Sequence, residues 1–428
     1  MIIKNGTIVD SINNRMYKAD IRIDNGIISK IDEALSINDV DADIIDATGL
    51  YIGPGLCDIH VHFRDPGFTH KEDILTGAEA AKMGGYTQIV LMANTKPTVD
   101  SVETLEYVIN KGKDTGINIH TCANVTYGMK GQELTDMDAL FEAGAVGFTD
   151  DGVPILNADI CKKAMKLTAS LKAPISFHEE NPEFIKNNGV NHGVASDYYK
   201  IYGSDRQAEI DMVSRDIELA RECKAEGEDP IVVIQHISTA EGVELVRKAK
   251  ADGLNIHAEA TPHHFTLTEE AVIKYGTFAK MNPPLRTDAD REAVRKGLQD
   301  GTIDMIATDH APHAGDEKAK SITDAPSGII GLETAFSLAI RELVNKGYLS
   351  YPELFNRMSY APTQLYGLTG GEVAEGLPAD MVIFNPSGKW TYTENMIRSK
   401  SHNSPFIGEE LPGIIKYTLC NGKVVYSR

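Results

Sequence analysis

Between residues 56 and 312, apolar runs of strand length alternate with stretches whose apolar positions recur every three to four residues. The runs fall at 56–63, 86–94, 117–125, 145–151, 173–179, 230–238, 255–263 and 304–312, and the pattern between them predicts helices such as 71–83, 158–171, 208–222 and 241–251. Strands separated by helices on this scale form parallel βα units, and eight of them predict an α/β fold closed into a TIM-type (β/α)8 barrel. An open doubly wound sheet accepts the same alternation, but it calls for a glycine-rich phosphate loop after an early strand, and the sequence has none there.

The two ends read differently. Short β-rich segments at 2–9 and 21–28 carry Asn-Gly turn signals, and near the other end 381–384 and 415–419, followed by Asn421-Gly422, read as strands and a hairpin. Both termini are therefore expected to build one small β-sandwich domain, from residues 1–53 and 371–428, flanking a barrel catalytic domain at 54–370.

Composition narrows the function. No apolar run in the 428 residues approaches membrane-spanning length, and the N-terminus lacks the basic-then-apolar pattern of a signal peptide, so the expectation is a soluble, cytoplasmic protein. The net charge of −20 argues against nucleic-acid or anionic-membrane partners, and it means that an anionic substrate needs a local positive site. Cys57, Cys122, Cys161, Cys223 and Cys420 form no Cys-x-x-Cys pair, which fits reduced thiols.

The first run ends in Asp58-Ile59-His60-Val61-His62-Phe63-Arg64. A strand repeats every two residues, so His60 and His62 face the same side, as a zinc site requires, and Arg64 beyond them offers a planar cation suited to a carboxylate. Taken alone, such a pair is more often chance. Reactive groups of a TIM barrel stand at the C-terminal ends of its strands, however, and the other runs end in Asp150-Asp151, His178, His236 and Asp309. Four imidazoles and two carboxylates at one barrel mouth suit two divalent cations with a shared carboxylate, although spacing does not choose between Asp150 and Asp151.

The motifs Phe63-Arg64-Asp65-Pro66-Gly67 with His70-Lys71-Glu72, Asn94-Thr95-Lys96-Pro97, Phe148-Thr149-Asp150-Asp151-Gly152, Asn282-Pro283-Pro284-Leu285-Arg286 and Thr308-Asp309-His310-Ala311-Pro312-His313 resemble, in order, those of the amidohydrolase superfamily. The similarity is greatest to bacterial dihydroorotases of the long, type I group. It implies that His60, His62 and Asp309 bind one zinc, that His178 and His236 bind a second, and that Asp151, the residue before the motif's glycine, bridges them. Many relatives bridge with a carboxylated lysine, but no lysine lies between Gly144 and Gly152. The resemblance also implies that Arg64, Asn94 and His313, beside His62, hold the substrate carboxylate, while Asn282 and the Ser327-Gly328 backbone hold the ring amides. The chain departs from the family at Ala93, where proline is common, and at Ser327, where Phe-Gly is frequent. His263 and His264 are expected to be structural, and His120, His192, His257 and His402 ordinary polar residues.

The implied reaction is reversible opening of dihydroorotate to N-carbamoyl-aspartate in pyrimidine synthesis, with zinc activating water and Asp309 carrying the proton from that water to the leaving amide nitrogen. A homo-oligomer such as a dimer is expected, whereas nothing indicates association with aspartate transcarbamoylase. Three alternatives use the same residues differently. An allantoinase or hydantoinase has no substrate carboxylate for Arg64 to hold, a non-catalytic scaffold would have lost metal ligands, and a mononuclear deaminase has less use for an acid on strand four.

Overall fold

The computed structural model describes residues 1–35 and 43–428. Eight parallel strands run Leu56–Val61, Tyr86–Leu91, Asn118–Thr121, Phe148–Thr149, Pro174–Phe177, Ile231–Ile234, Ile256–Ala260 and Met305–Ile306. Neighbours follow chain order within the first three and within the last five. Two single parallel pairings close the circle: Ala123 with Phe148 joins the third strand to the fourth, and Val61 with His310 joins the end of the eighth to the first. The expected barrel is thus present.

Its strands are shorter than the apolar runs predict. The runs at 86–94, 145–151 and 304–312 outlast their ladders, which stop at Leu91, Thr149 and Ile306. At the barrel mouth several backbone N–H groups turn to buried carboxylates instead of neighbouring strands. Thr308 N donates to both oxygens of Asp58 (3.1 and 3.2 Å), His60 N donates to Asp58 Oδ1 (3.1 Å), and His236 N donates to Glu259 Oε1 (3.2 Å). These bonds satisfy the backbone while the chain leaves the sheet to aim side chains into the mouth.

The helices follow from capping and periodicity. Ala158–Leu171 buries Cys161, Ala164, Met165 and Thr168, one face of a 3.6-residue repeat, and Asn157 caps it by accepting from Asp159 N and Ile160 N. The helix expected at 71–83 starts only at Ile74, because Asp73 accepts from Leu75 N and Thr76 N as its cap.

The termini pair as expected, through Tyr51–Pro54 antiparallel to Met381–Thr391. Hydrogen bonding is continuous through eight strands. Asn25-Gly26 and Asn421-Gly422 make hairpin turns with positive φ at both residues, and the sheet brings the two turns together: a Cβ on Gly26 would lie 2.8 Å from the Asn421 carbonyl. Asn5-Gly6 instead lies inside the strand Ile2–Asp10, at a register shift. Alternate residues of Met381–Phe384 face opposite ways. Met381 and Ile383 join Ile3, Ile8 and Ile21, whereas Val382 and Phe384 join the barrel's apolar core, where Phe384 meets Phe336 edge-on at 4.9 Å between ring centres. This packing fixes the sheet against the barrel. Among the described residues no helix is long and apolar enough to cross a membrane.

Candidate metal centre and substrate cavity

The barrel mouth brings together all six groups expected to ligate metal, each buried. His62 Nε2 lies 3.0 Å from Asp309 Oδ1, and His60 Nε2 lies 3.6 Å from the same atom. Asp151 stands at the centre: Oδ1 is 3.4 Å from His60 Nε2, 3.6 Å from His178 Nδ1 and 3.7 Å from His236 Nε2, and Oδ2 is 3.4 Å from His62 Nε2. His178 Nδ1 and His236 Nε2 are 3.0 Å apart. Two tetrahedral ligand atoms, each about 2.0–2.2 Å from a metal, stand roughly 3.3 Å from each other, so these spacings suit divalent cations. The hydrogen bonding agrees, because His60 Nε2 and Asp151 Oδ1 are buried without a hydrogen-bond partner and face each other. Within the cluster, His60, Asp151 and His236, and separately His60, His62 and Asp309, each gather closely enough to share one ion.

The alternative left open on strand four is resolved geometrically. Asp150 turns away from the cluster and spends both oxygens on the 124–126 segment, accepting from Val125 N (2.9 Å), Thr126 N (3.2 Å), Asn124 Nδ2 (3.2 Å) and Thr126 Oγ1. Only Asp151 faces the imidazoles.

Two carboxylates that motif matching passed over stand behind the ring. Glu259 Oε1 bonds His60 Nδ1, and Glu180 Oε2 lies 3.0 Å from His178 Nε2. A buried acid inside the run 255–263 was the legible signal for Glu259, since such a group must find a partner. Burial works against charge on His60, but the Glu259 and Asp151 carboxylates outweigh it and raise that imidazole well above its ordinary value. Burial likewise opposes charge on Asp309, yet His62, His60 and His236 hold it well below the usual carboxylate range. The field of the site therefore favours positive charge on His60 and His178, opposes it on His62 through burial, and favours an ionised Asp309. His236 and Asp309 also have positive φ, +34° and +48°, as does Arg64 at +59°, and strained backbone of this kind concentrates at functional sites.

A cavity of about 300 Å³ opens beside the cluster, lined by Arg64, Asn94, Asn282, His313, Ser327 and Gly328 among others. All the expected substrate contacts thus share one space. Arg64 Nε donates to Pro312 O (3.3 Å), and Nη2 lies 3.4 Å from His313 Nε2. Among the described residues the guanidinium meets no carboxylate. The neighbouring Asp65 is engaged elsewhere, by Lys111 (2.6 Å) and Tyr107 (2.9 Å). Burial and then Arg64 push His313 down to about 2, so it is a neutral ring, and its Nε2 donates to Ser327 O at 2.8 Å. Asn94 is drawn closer to the cluster than expected: Oδ1 accepts from His62 Nδ1 (3.0 Å), and Nδ2 donates to the Asp151 carbonyl (3.2 Å). Asn188 and Pro326, absent from the sequence reading, complete the wall near Ser327.

His264 bonds Thr261 Oγ1 (2.8 Å) and the Pro283 carbonyl (3.0 Å), bracing the segment that presents Asn282. His263 is buried beside the cluster and pushed down to about 4, by burial first.

Comparison with known proteins fits this geometry. A family model described as Dihydro-orotase-like matches residues 49–242. A dihydroorotase of Clostridium acetobutylicum is 47% identical over 426 residues, covering 100% of this chain and 99% of the relative, and one of Clostridioides difficile is 48% identical over 427 residues, covering 100% of both. Among solved structures, L-hydantoinase (dihydropyrimidinase) from Arthrobacter aurescens superposes with a TM-score of 0.88 at 24% identity, covering 100% of this chain and 96% of that one. D-hydantoinase (dihydropyrimidinase) from a Thermus species gives 0.85 at 23% identity, covering 99% and 94%. At such identity the superpositions establish the fold alone, whereas identity near one half along the whole length establishes descent: the chain belongs to the dihydroorotase family of cyclic-amide hydrolases.

Proposed function

We propose that the protein interconverts N-carbamoyl-L-aspartate and L-dihydroorotate, using two zinc ions held by His60, His62 and Asp309 on one side, His178 and His236 on the other, and Asp151 between them. The observation that carries the substrate is Arg64. A buried-rim guanidinium that meets no carboxylate among the described residues faces the cavity beside Asn94 and His313, in a chain of net charge −20. An exocyclic carboxylate supplies that partner, and dihydroorotate has one where hydantoin and allantoin do not.

Divalent ions held by these residues would activate water near neutral pH and would polarise the amide carbonyl. The chain's own groups do the rest. Arg64 fixes the carboxylate end, with Asn94 and the neutral His313 ring lining the pocket beside it, so that the scissile amide is presented to the metal side in one orientation. Asp309 accepts a proton from the attacking water at a carboxylate oxygen and returns it to the ring nitrogen as the C–N bond breaks. The second proton of the water leaves with the new carboxylic acid. Asn282 and the Ser327-Gly328 backbone line the side where the ring amides would lie.

Steady-state assays with dihydroorotate, hydantoin and allantoin in parallel test the reading. Turnover of dihydroorotate well above the other two is expected, and a preference for hydantoin or allantoin overturns it.

A further inference from the structure

Four successive carbonyls along the cavity rim, those of residues 325–328, each accept from a buried side chain. Lys280 Nζ donates to Ala325 O at 2.6 Å, and Lys318 Nζ donates to Pro326 O at 2.9 Å and Gly328 O at 3.1 Å. His313 Nε2 takes Ser327 O, and Asn403 Nδ2 adds a second bond to Gly328 O at 3.1 Å. The Lys280 backbone is also engaged, since its carbonyl accepts from Gly328 N at 2.8 Å. Both lysines are 2% exposed, and among the described residues neither forms an ion pair.

Burying two amines side by side is unfavourable. Burial and then the Lys280 charge bring Lys318 down to about 7, while Glu317 acts the other way; Asp324 does the same for Lys280. Across a second cavity Lys318 also shares its surroundings with His70, His313, Lys400 and His402. A fold that needed only a filled interior would place apolar groups here. What the amines gain in return is a set of carbonyls: Thr323 O, at 3.5 Å from Lys280 Nζ, and those of the segment that forms the substrate wall.

We infer that Lys280 and Lys318 are positioning residues that hold the 325–328 peptide planes in the geometry that binds substrate. The inference rests on the reading of this cavity as the dihydroorotate site. The lysines touch no reacting atom, so their loss weakens binding and spares the chemical step.

The test uses the full-length, metal-loaded protein with Lys318→Met and Lys280→Met. Each variant is expected to raise KM for dihydroorotate by about tenfold or more, in line with losing charged hydrogen bonds, with kcat held within about threefold and metal content unchanged. Amide hydrogen exchange at 325–330 should accelerate by a similar factor relative to the barrel helices. Should a methionine variant not fold, Lys318→Gln, which keeps a donor, is expected to give a smaller change of the same kind. An unchanged KM with reduced kcat, or unchanged exchange in the segment, overturns the inference. The exchange arm needs no substrate: accelerated exchange in the variants, with no dihydroorotate turnover by the wild type, would defeat the substrate assignment and leave the holding role standing.

Discussion

Glu259, on the seventh barrel strand, grips Nδ1 of His60, on the first, and thereby turns His60 Nε2 toward Asp151 and Asp309. The same carboxylate oxygen accepts from the backbone N–H of His236, so one side chain orients two of the proposed metal ligands from different βα units. Carboxylates behind metal-binding imidazoles set the ring's tautomer and raise its basicity. Glu259→Ala is therefore expected to lower metal affinity by about 10–100-fold with the fold retained, as measured by competition with a chelator and by circular dichroism. Unaltered metal affinity would mean that His60 is held well enough without it.

Asp150 and Asp151, adjacent in sequence, should fail in different ways. Asp151→Asn is expected to lose metal and turnover together. Asp150→Asn disrupts the bonds to Val125, Thr126 and Asn124 and should cost about 1–3 kcal/mol of stability, while the folded fraction keeps its metal. With an aspartate at the centre and no lysine to carboxylate, metal content should also ignore added bicarbonate. Metal analysis and thermal melts of the two variants, with and without bicarbonate, separate these outcomes.

Much of this site was legible because its chemistry sits on a repeat. Strand alternation placed His60 and His62 on one side, and the rule that barrel strands end at the active face collected His178, His236 and Asp309 from runs far apart in the chain. What pattern could not supply was direction at a strand end. Asp150 and Asp151 have the same residue type and nearly the same position, and the choice depends on whether the 124–126 backbone needs acceptors. Strand lengths were overestimated for a related reason: at 92–93 and 307–312 the chain stays buried, with Thr308, Asp309 and His310 as buried polar groups, but its backbone leaves the ladder. The helix near 71 was expected too early because Asp73 was not read as a cap. Glu259, Lys280 and Lys318 act through contacts with residues remote in sequence or through carbonyls, which no motif records.

Lys318 gives a pH dependence whose sign is fixed. Its ordinary value of 10.5 applies to the unfolded chain, whereas burial and Lys280 bring it to about 7 in the fold. Between those values the unfolded state binds more protons, so this group makes stability rise with pH across that window. The difference in thermal midpoint between wild type and Lys318→Met should move in the wild type's favour from pH 7 to pH 10. A difference that stays flat across the series would contradict the burial of a titrating amine there.

The proposed substrate pair carries its own signature. N-carbamoyl-aspartate has two carboxylates and dihydroorotate one, so ring closure consumes a proton. The equilibrium ratio reached with the enzyme should move toward dihydroorotate by about tenfold per unit fall in pH, roughly 1.4 kcal/mol, when both species are quantified at equilibrium between mildly acidic and mildly basic buffers. A ratio indifferent to pH would exclude the pair.

The central claim is that Arg64 binds the substrate carboxylate, and Arg64→Met measures it most directly when kcat/KM is determined for dihydroorotate and for a ring analogue lacking the carboxylate. The account predicts a loss on dihydroorotate equivalent to about 2–5 kcal/mol, with bound metal unchanged and activity on the analogue nearly intact. Equal losses on both substrates, or a wild type that prefers the analogue, would contradict it.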